Sequence, residues 1–132
     1  MASRRSTYVA VFVVERLEII NSRFGFRVGD RMLLQFSQHI GQQLAQGDQL
    51  FRWRGPTFVA LLERDQAQKM VDAEVMRISA SRIEYTVNTK DRDVLLRVNS
   101  SHNLFRVAPD ADIDAIIERI DSFAADRSSP PT

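Results

Sequence analysis

Three of the charged side chains that could do chemistry in this chain, Asp30, Asp48 and Arg54, sit beside glycines. In "FRWRGPTFVALLE", Phe51 to Glu63, two strand-like runs close on Gly55 and Pro56, where a hairpin more naturally carries Asn-Gly or Asp-Gly. Gly55 can supply the positive φ of a type II′ turn, and Pro56 fits the second central position at φ near −65°. Arg54, just before them, has three readings: a cation that pairs with phosphate, a bulky group that blocks a pocket, or a solvated hairpin arginine. His39 and His102 have no acid at ligand spacing, so they read as ordinary histidines rather than metal ligands. With no cysteine, neither a thiolate metal site nor a disulfide framework can form. Trp53 and Phe58 read as hairpin packing, not as a base-stacking platform.

These residues need elements to hold them. "YVAVFVV", Tyr8 to Val14, is a continuous β-branched and aromatic run, which predicts a central strand buried on both faces. "ERLEIINSRF" places Leu17, Ile20 and Phe24 on one side of a short helix that Gly25 ends, with Asn21 near its close. A longer amphipathic helix follows from Asp30, its expected N-cap, with Leu33, Phe36, Ile40 and Leu44 inward. After the hairpin, with Arg54 to Thr57 at an exposed tip, Asp65 is positioned to cap a third helix through Ile78. "IEYTVNTKDRDVLLRV" reads as strand, polar turn and strand, the second continuing toward Val107, and "DIDAIIERIDSFAAD" as a last helix. The order β, α, α, β-hairpin, α, β-hairpin, α predicts an α+β, palm-like domain. Its mainly antiparallel central sheet of four or five strands is flanked by helices packed on one face.

Composition adds bounds. A chain of 132 residues has the size of one domain, and 18 basic against 17 acidic side chains leave a net charge of +1, which points to no nucleic-acid partner. No run approaches the roughly 18 apolar residues of a membrane span, and "MASRRST" lacks a signal peptide's apolar core, so a cytoplasmic protein without membrane insertion is expected.

The succession "YVAVFVVERLEIINSRFGFRVGDRMLLQFSQHI" and then "GDQLFRWRGPTFVALLE" resembles the GGDEF domain of diguanylate cyclases, which condense two GTP into the bacterial second messenger cyclic di-GMP. Members of that family typically show D-x-D-x-F-K-x-I-N-D after a strand, then Y/F-G-H-x-x-G-D-x-x-L, then R-x-G-G-D/E-E-F at a hairpin. "INSRFGFRVGDRMLL" keeps the framework, and "RWRGPTFVALL" is the hairpin in altered form. The resemblance covers residues 1–127 as one domain, with 128–132 as a linker or disordered tail.

The resemblance implies a site with its chemistry removed. The family's first metal-binding carboxylate matches Val13, its second Asp matches Glu15, and the hairpin acid that binds Mg²⁺ and prepares the 3′-hydroxyl matches Pro56. The next acid matches Thr57, and the first glycine matches Arg54, so only Gly55 and Phe58 of the pentapeptide persist. The expectation is therefore no catalytic residue, no metal site and loss of the Mg²⁺ cofactor. Asn21 and Asp30 match the residues that hydrogen-bond guanine, and each also has a purely structural reading as a helix end or cap. With Arg54 and Gly55 they make up the candidate nucleotide-binding set. In the window of the family's R-x-x-D inhibitory motif stands "AQGD", so Asp48 persists without its arginine. The implied function is a catalytically inactive regulatory, sensory or protein-interaction module in cyclic di-GMP signalling. Its partners would be flanking signalling domains or a partner protein. The alternatives are a guanine-nucleotide receptor that binds GTP or cyclic di-GMP weakly, and an active cyclase with unusual ligands, against which Val13 and Pro56 argue.

Overall fold

Seven consecutive buried residues, Tyr8 to Val14, make strand β1 (Ser6–Val14) the spine of the molecule, whose computed structural model describes residues 5–128. β1 lies between β3 (Thr57–Arg64) and β6 (Ser100–Val107), antiparallel to both, and β2 (Gln49–Arg52) extends the sheet beyond β3 in the order β2-β3-β1-β6. The expected central, antiparallel placement of β1 is what forms.

Alternation along β1 sorts its side chains between two cores. Tyr8, Ala10, Phe12 and Val14 meet Met32, Leu33, Phe36 and Ile40 of α2 (Phe26–Gln43) and Val71, Val75 and Ile78 of α3 (Gln68–Ser79). Val9, Val11 and Val13 face the other way, onto Val59, Phe105 and Ile120 of α4 (Ile113–Ser128). Helices therefore cover both faces of the sheet and not one. The cause is in β1 itself: an apolar residue at every position leaves no face that can stay wet.

The boundaries correct several expectations. α1 (Leu17–Phe24) ends where the Gly25 N–H donates to the Asn21 carbonyl at 2.9 Å, and Gly25, at φ +95°, is also the residue from which α2 starts. Asp30 therefore lies one turn inside α2 instead of capping it. Asp65 does not cap α3 either, since that helix begins after Ala67 without a side-chain cap, its first turn closed on the Ala67 carbonyl. The strand expected to run on to Val107 is two strands. β5 (Asp93–Val98) pairs only with β4 (Ile83–Asn88), and after Asn99 the chain switches to β1 as β6. Asn99 marks the switch because its carbonyl accepts the Glu15 N–H at 2.8 Å. The β4–β5 ribbon is held to α2 by Gln35, whose amide donates to the Glu84 carbonyl at 2.7 Å. α4 continues through Ser128, one residue into the expected tail, and residues 129–132 lie outside the described residues. Among the described residues no helix is long and apolar enough to cross a membrane.

Candidate functional site

The hairpin tip is fixed by its own backbone. The Thr57 N–H donates to the Arg54 carbonyl at 2.8 Å and the Trp53 N–H to the Thr57 carbonyl at 2.9 Å, so Trp53 and Arg54 together oppose Thr57 as a bulge. Gly55 takes φ +49° while Pro56 stays at negative φ, as the glycine-then-proline order requires. The Pro56 carbonyl accepts the Val14 N–H at 2.9 Å, which stitches the tip to the end of β1. Arg54 and Gly55 are exposed, but Pro56 is half-buried and Thr57 buried, so the tip is less exposed than its polarity suggests.

Beneath the tip, Val13 and Thr57 stand directly across from each other in register, 0% and 2% exposed. Val13 is part of the α4-side core. At these two positions and at Pro56 the side chains offer one hydroxyl and no carboxylate. Glu15, beyond the strand end, is exposed and accepts a hydrogen bond from the Ser101 hydroxyl at 2.9 Å. Among the described residues no three His, Cys, Asp or Glu side chains come together to hold a metal ion.

Two other residues of the candidate set lie on the α2 side. The Asn21 Oδ1 is buried without a hydrogen-bond partner and sits so close to Gly29 that a Cβ there would come within 1.8 Å of it. Gly29 is thus the one residue type that lets α1 and α2 meet at this point. Asp30, next in sequence, lines a groove of about 440 Å³ between α2 and β2, floored by Leu33, Leu50 and Phe58 and bordered by Arg52. Arg52 is held in place there: its Nε donates to the Gly55 carbonyl at 2.9 Å, and its guanidinium lies 5.5 Å from the Phe58 ring centroid.

Arg54 turns elsewhere. It reaches Asp121 on α4 at 3.6 Å, and the neighbouring Trp53 indole N–H donates to the same carboxylate at 2.7 Å. At the opposite end of the hairpin the Asp48 side chain is 3% exposed and gripped by Arg64, whose fork meets both of its oxygens at 2.8 and 2.7 Å and both of Glu74's at 3.1 and 2.9 Å. The Ala45 N–H adds a further bond to Asp48 at 2.8 Å. Hydrogen bonds to Asp48 first, then to Glu74, push the Arg64 guanidinium still further above its already high range. This triad lines a polar cavity of about 370 Å³ with Arg5, Glu63 and Asp65.

With this geometry in hand, comparison with known proteins decides the family. The model for "Diguanylate cyclase, GGDEF domain" matches residues 1–127. The chain belongs to the GGDEF domain family. The fold agrees. The chain is similar to the diguanylate cyclase SiaD of Pseudomonas aeruginosa, solved in complex with its activator SiaC, at TM-score 0.76 and 22% identity, covering 92% of this chain and 46% of that one. It is also similar to the GGDEF domain of DgcB from Caulobacter crescentus, solved with c-di-GMP, at TM-score 0.73 and 19% identity, over 93% of this chain and 73% of that one. A third is the GGDEF domain of PA1120 from Pseudomonas aeruginosa, at TM-score 0.68 and 21% identity, over 95% and 74%. A search of curated protein sequences gave no significant match. The chain thus spans less than half of the SiaD chain and about three quarters of the other two.

Within this GGDEF domain the candidate residues divide into three places. Asn21 and Asp30 belong to the α1–α2 junction, Arg54 and Gly55 to the tip that leans on α4, and Asp48 to the far end of the hairpin. Arg52, Asp121 and Arg64 were not singled out in the sequence. Arg52 had a signal, since it occupies the arginine position of the family's R-x-G-G pattern. Asp121 and Arg64 had none, because their partners lie 68, 16 and 10 residues away.

Proposed function

We propose that this chain is a catalytically silent GGDEF domain, acting as a regulatory or protein-interaction module in cyclic di-GMP signalling. The observation that carries the reading is the Val13–Thr57 pair. Where the family pattern calls for acids, a valine packed into the core faces a buried threonine. The donor set does not fit Mg²⁺, a hard cation that takes oxygen ligands, commonly from one or two carboxylates. Pro56 has no carboxylate, and its carbonyl accepts the Val14 N–H. Loss of both anchors removes the charge neutralisation on which phosphoryl transfer depends, and loss of the base removes a further ~10²–10⁴-fold. Purified protein given GTP and Mg²⁺ should form no cyclic di-GMP above a protein-free blank, and Pro56→Glu alone should not restore it. Robust turnover by the unmodified chain overturns the proposal.

A second reading, guanine-nucleotide reception, is favoured by one observation: the buried Asn21 Oδ1 lacks a partner while Asp30 stands open on the groove beside Arg52. If guanine contacts are made here, Asp30→Ala abolishes nucleotide binding measured by calorimetry and leaves folding unchanged. Unchanged binding in that variant removes the reading's main residue.

A further inference from the structure

The altered tip and the last helix meet in a single contact set. Trp53 is the only tryptophan of the chain. Its ring is half-buried against the α4-side core, whose partly buried members include Ile116 and Phe123 of α4, and its indole N–H is taken by Asp121. Arg54 adds its charge to the other oxygen of that carboxylate. On the sheet side the tip is equally committed, through the Pro56 carbonyl and the Val14 N–H. α4 is seated on this one face of the sheet: Ile120 is buried, Ile116, Phe123 and Ala124 are partly buried beside it, Arg119 lies 4.3 Å from the Phe105 ring centroid, and Ile113 at the helix start is 69% exposed.

We infer that Trp53 and Asp121, with Arg54 at their exposed rim, form a latch through which the hairpin tip and α4 open and close as one unit. A peripheral helix packed along one face only can detach locally at a free energy below that of global unfolding, and the latch then comes apart with it. By linkage, whatever draws Trp53 away from Asp121 loosens α4, and whatever lifts α4 frees the tip. The hairpin thereby reports the state of the helix at the C-terminal end of the domain, whether or not the domain turns over GTP.

Hydrogen exchange on the full chain tests this, read at three places: the Trp53 indole N–H, the Trp53 and Thr57 backbone amides, and the α4 amides from Ile116 to Ala124. In the wild type the three should exchange at matched protection. Asp121→Ala should accelerate all of them by about tenfold or more, since a hydrogen bond to a charged group is lost. Trp53→Phe, which keeps the ring packing, should accelerate α4 as well as its own amide. Asp121→Asn keeps an oxygen for the indole and should give a smaller acceleration of the same sites, which guards against a misfolded alanine variant. Acceleration confined to the mutated element, tip or helix alone, overturns the inference, as does wild-type exchange in all three variants.

Discussion

The two ends of the signature hairpin are each held by an arginine on a carboxylate, and the resemblance stops there. At the base, Arg64 forks onto Asp48 and Glu74 with side-chain exposures of 11%, 3% and 25%. At the tip, Arg54 reaches Asp121 once, at 3.6 Å, with exposures of 74% and 37%. Solvent makes the difference: the exposed pair is screened and adds little, whereas the buried fork is costly to break because a charge is stranded. The base thus acts as structure, and the tip is free to act as a latch.

The largest effect expected from this contrast is at Arg64. Arg64→Ala leaves Asp48 buried with only the Ala45 N–H, and should cost about 3–5 kcal/mol, measured as a lower urea midpoint with unchanged slope. Arg64→Lys keeps the charge but not the fork, so it should recover only part of that loss. A cost under about 1 kcal/mol for the alanine variant would place the base clasp in the same class as the tip.

The pH dependence of the base clasp has a definite sign. A cation whose folded-state pKa is raised contributes stability that is complete below its unfolded value and lost only as pH rises through the folded one. For Arg64 both lie beyond the alkaline range in which proteins are handled, so deprotonation of this group should cause no loss of stability between neutral pH and about pH 10. Arg64→Lys is the control, since a lysine between the same two carboxylates begins to lose its contribution only above its unfolded value of about 10.4, between roughly pH 10 and 12, where Arg64 still holds. Equal alkaline sensitivity of the two proteins in that window would contradict the assignment.

At the tip the effects are smaller. Asp121→Ala should cost about 1–2 kcal/mol, for one hydrogen bond from the Trp53 indole to a charged acceptor, and should change the fluorescence of the sole tryptophan. Arg54→Ala should fall within about 0.5 kcal/mol of wild type in the same denaturation experiment. An Arg54 effect equal to that of Arg64 would erase the distinction between the two ends.

The same contrast explains what could be read in the sequence. β1 was legible because its valines and aromatics carry a two-sided burial pattern within seven residues, and the hairpin because Gly55 and Pro56 dictate its turn. The helix starts were misread at Asp30 and Asp65, where capping chemistry is present but the backbone uses Gly25 and Ala67 instead. α4 has a local signal, Ile116, Ile120 and Phe123 at helical spacing, and β1 reads as buried on both faces; which face of the sheet α4 covers is set by long-range contacts such as Trp53 with Asp121, which the sequence does not show. In the candidate site, the positions of Val13, Pro56 and Thr57 were legible through the family framework. The partners of Arg54 and Asp48 were not, because an ion pair leaves no mark on the sequence around either residue.

We propose that this GGDEF domain keeps the framework of a nucleotide site and has lost its metal-dependent grip on phosphate. Calorimetric titration with GTP, with and without Mg²⁺, distinguishes a lost grip from a retained one. The remaining contacts are a few hydrogen bonds worth about 0.5–1.5 kcal/mol net each, up to about 3 kcal/mol when charged, against at least about 4 kcal/mol for immobilising the ligand. The expected affinity is no tighter than high micromolar and the same whether or not Mg²⁺ is present. Submicromolar binding that requires Mg²⁺ would contradict it.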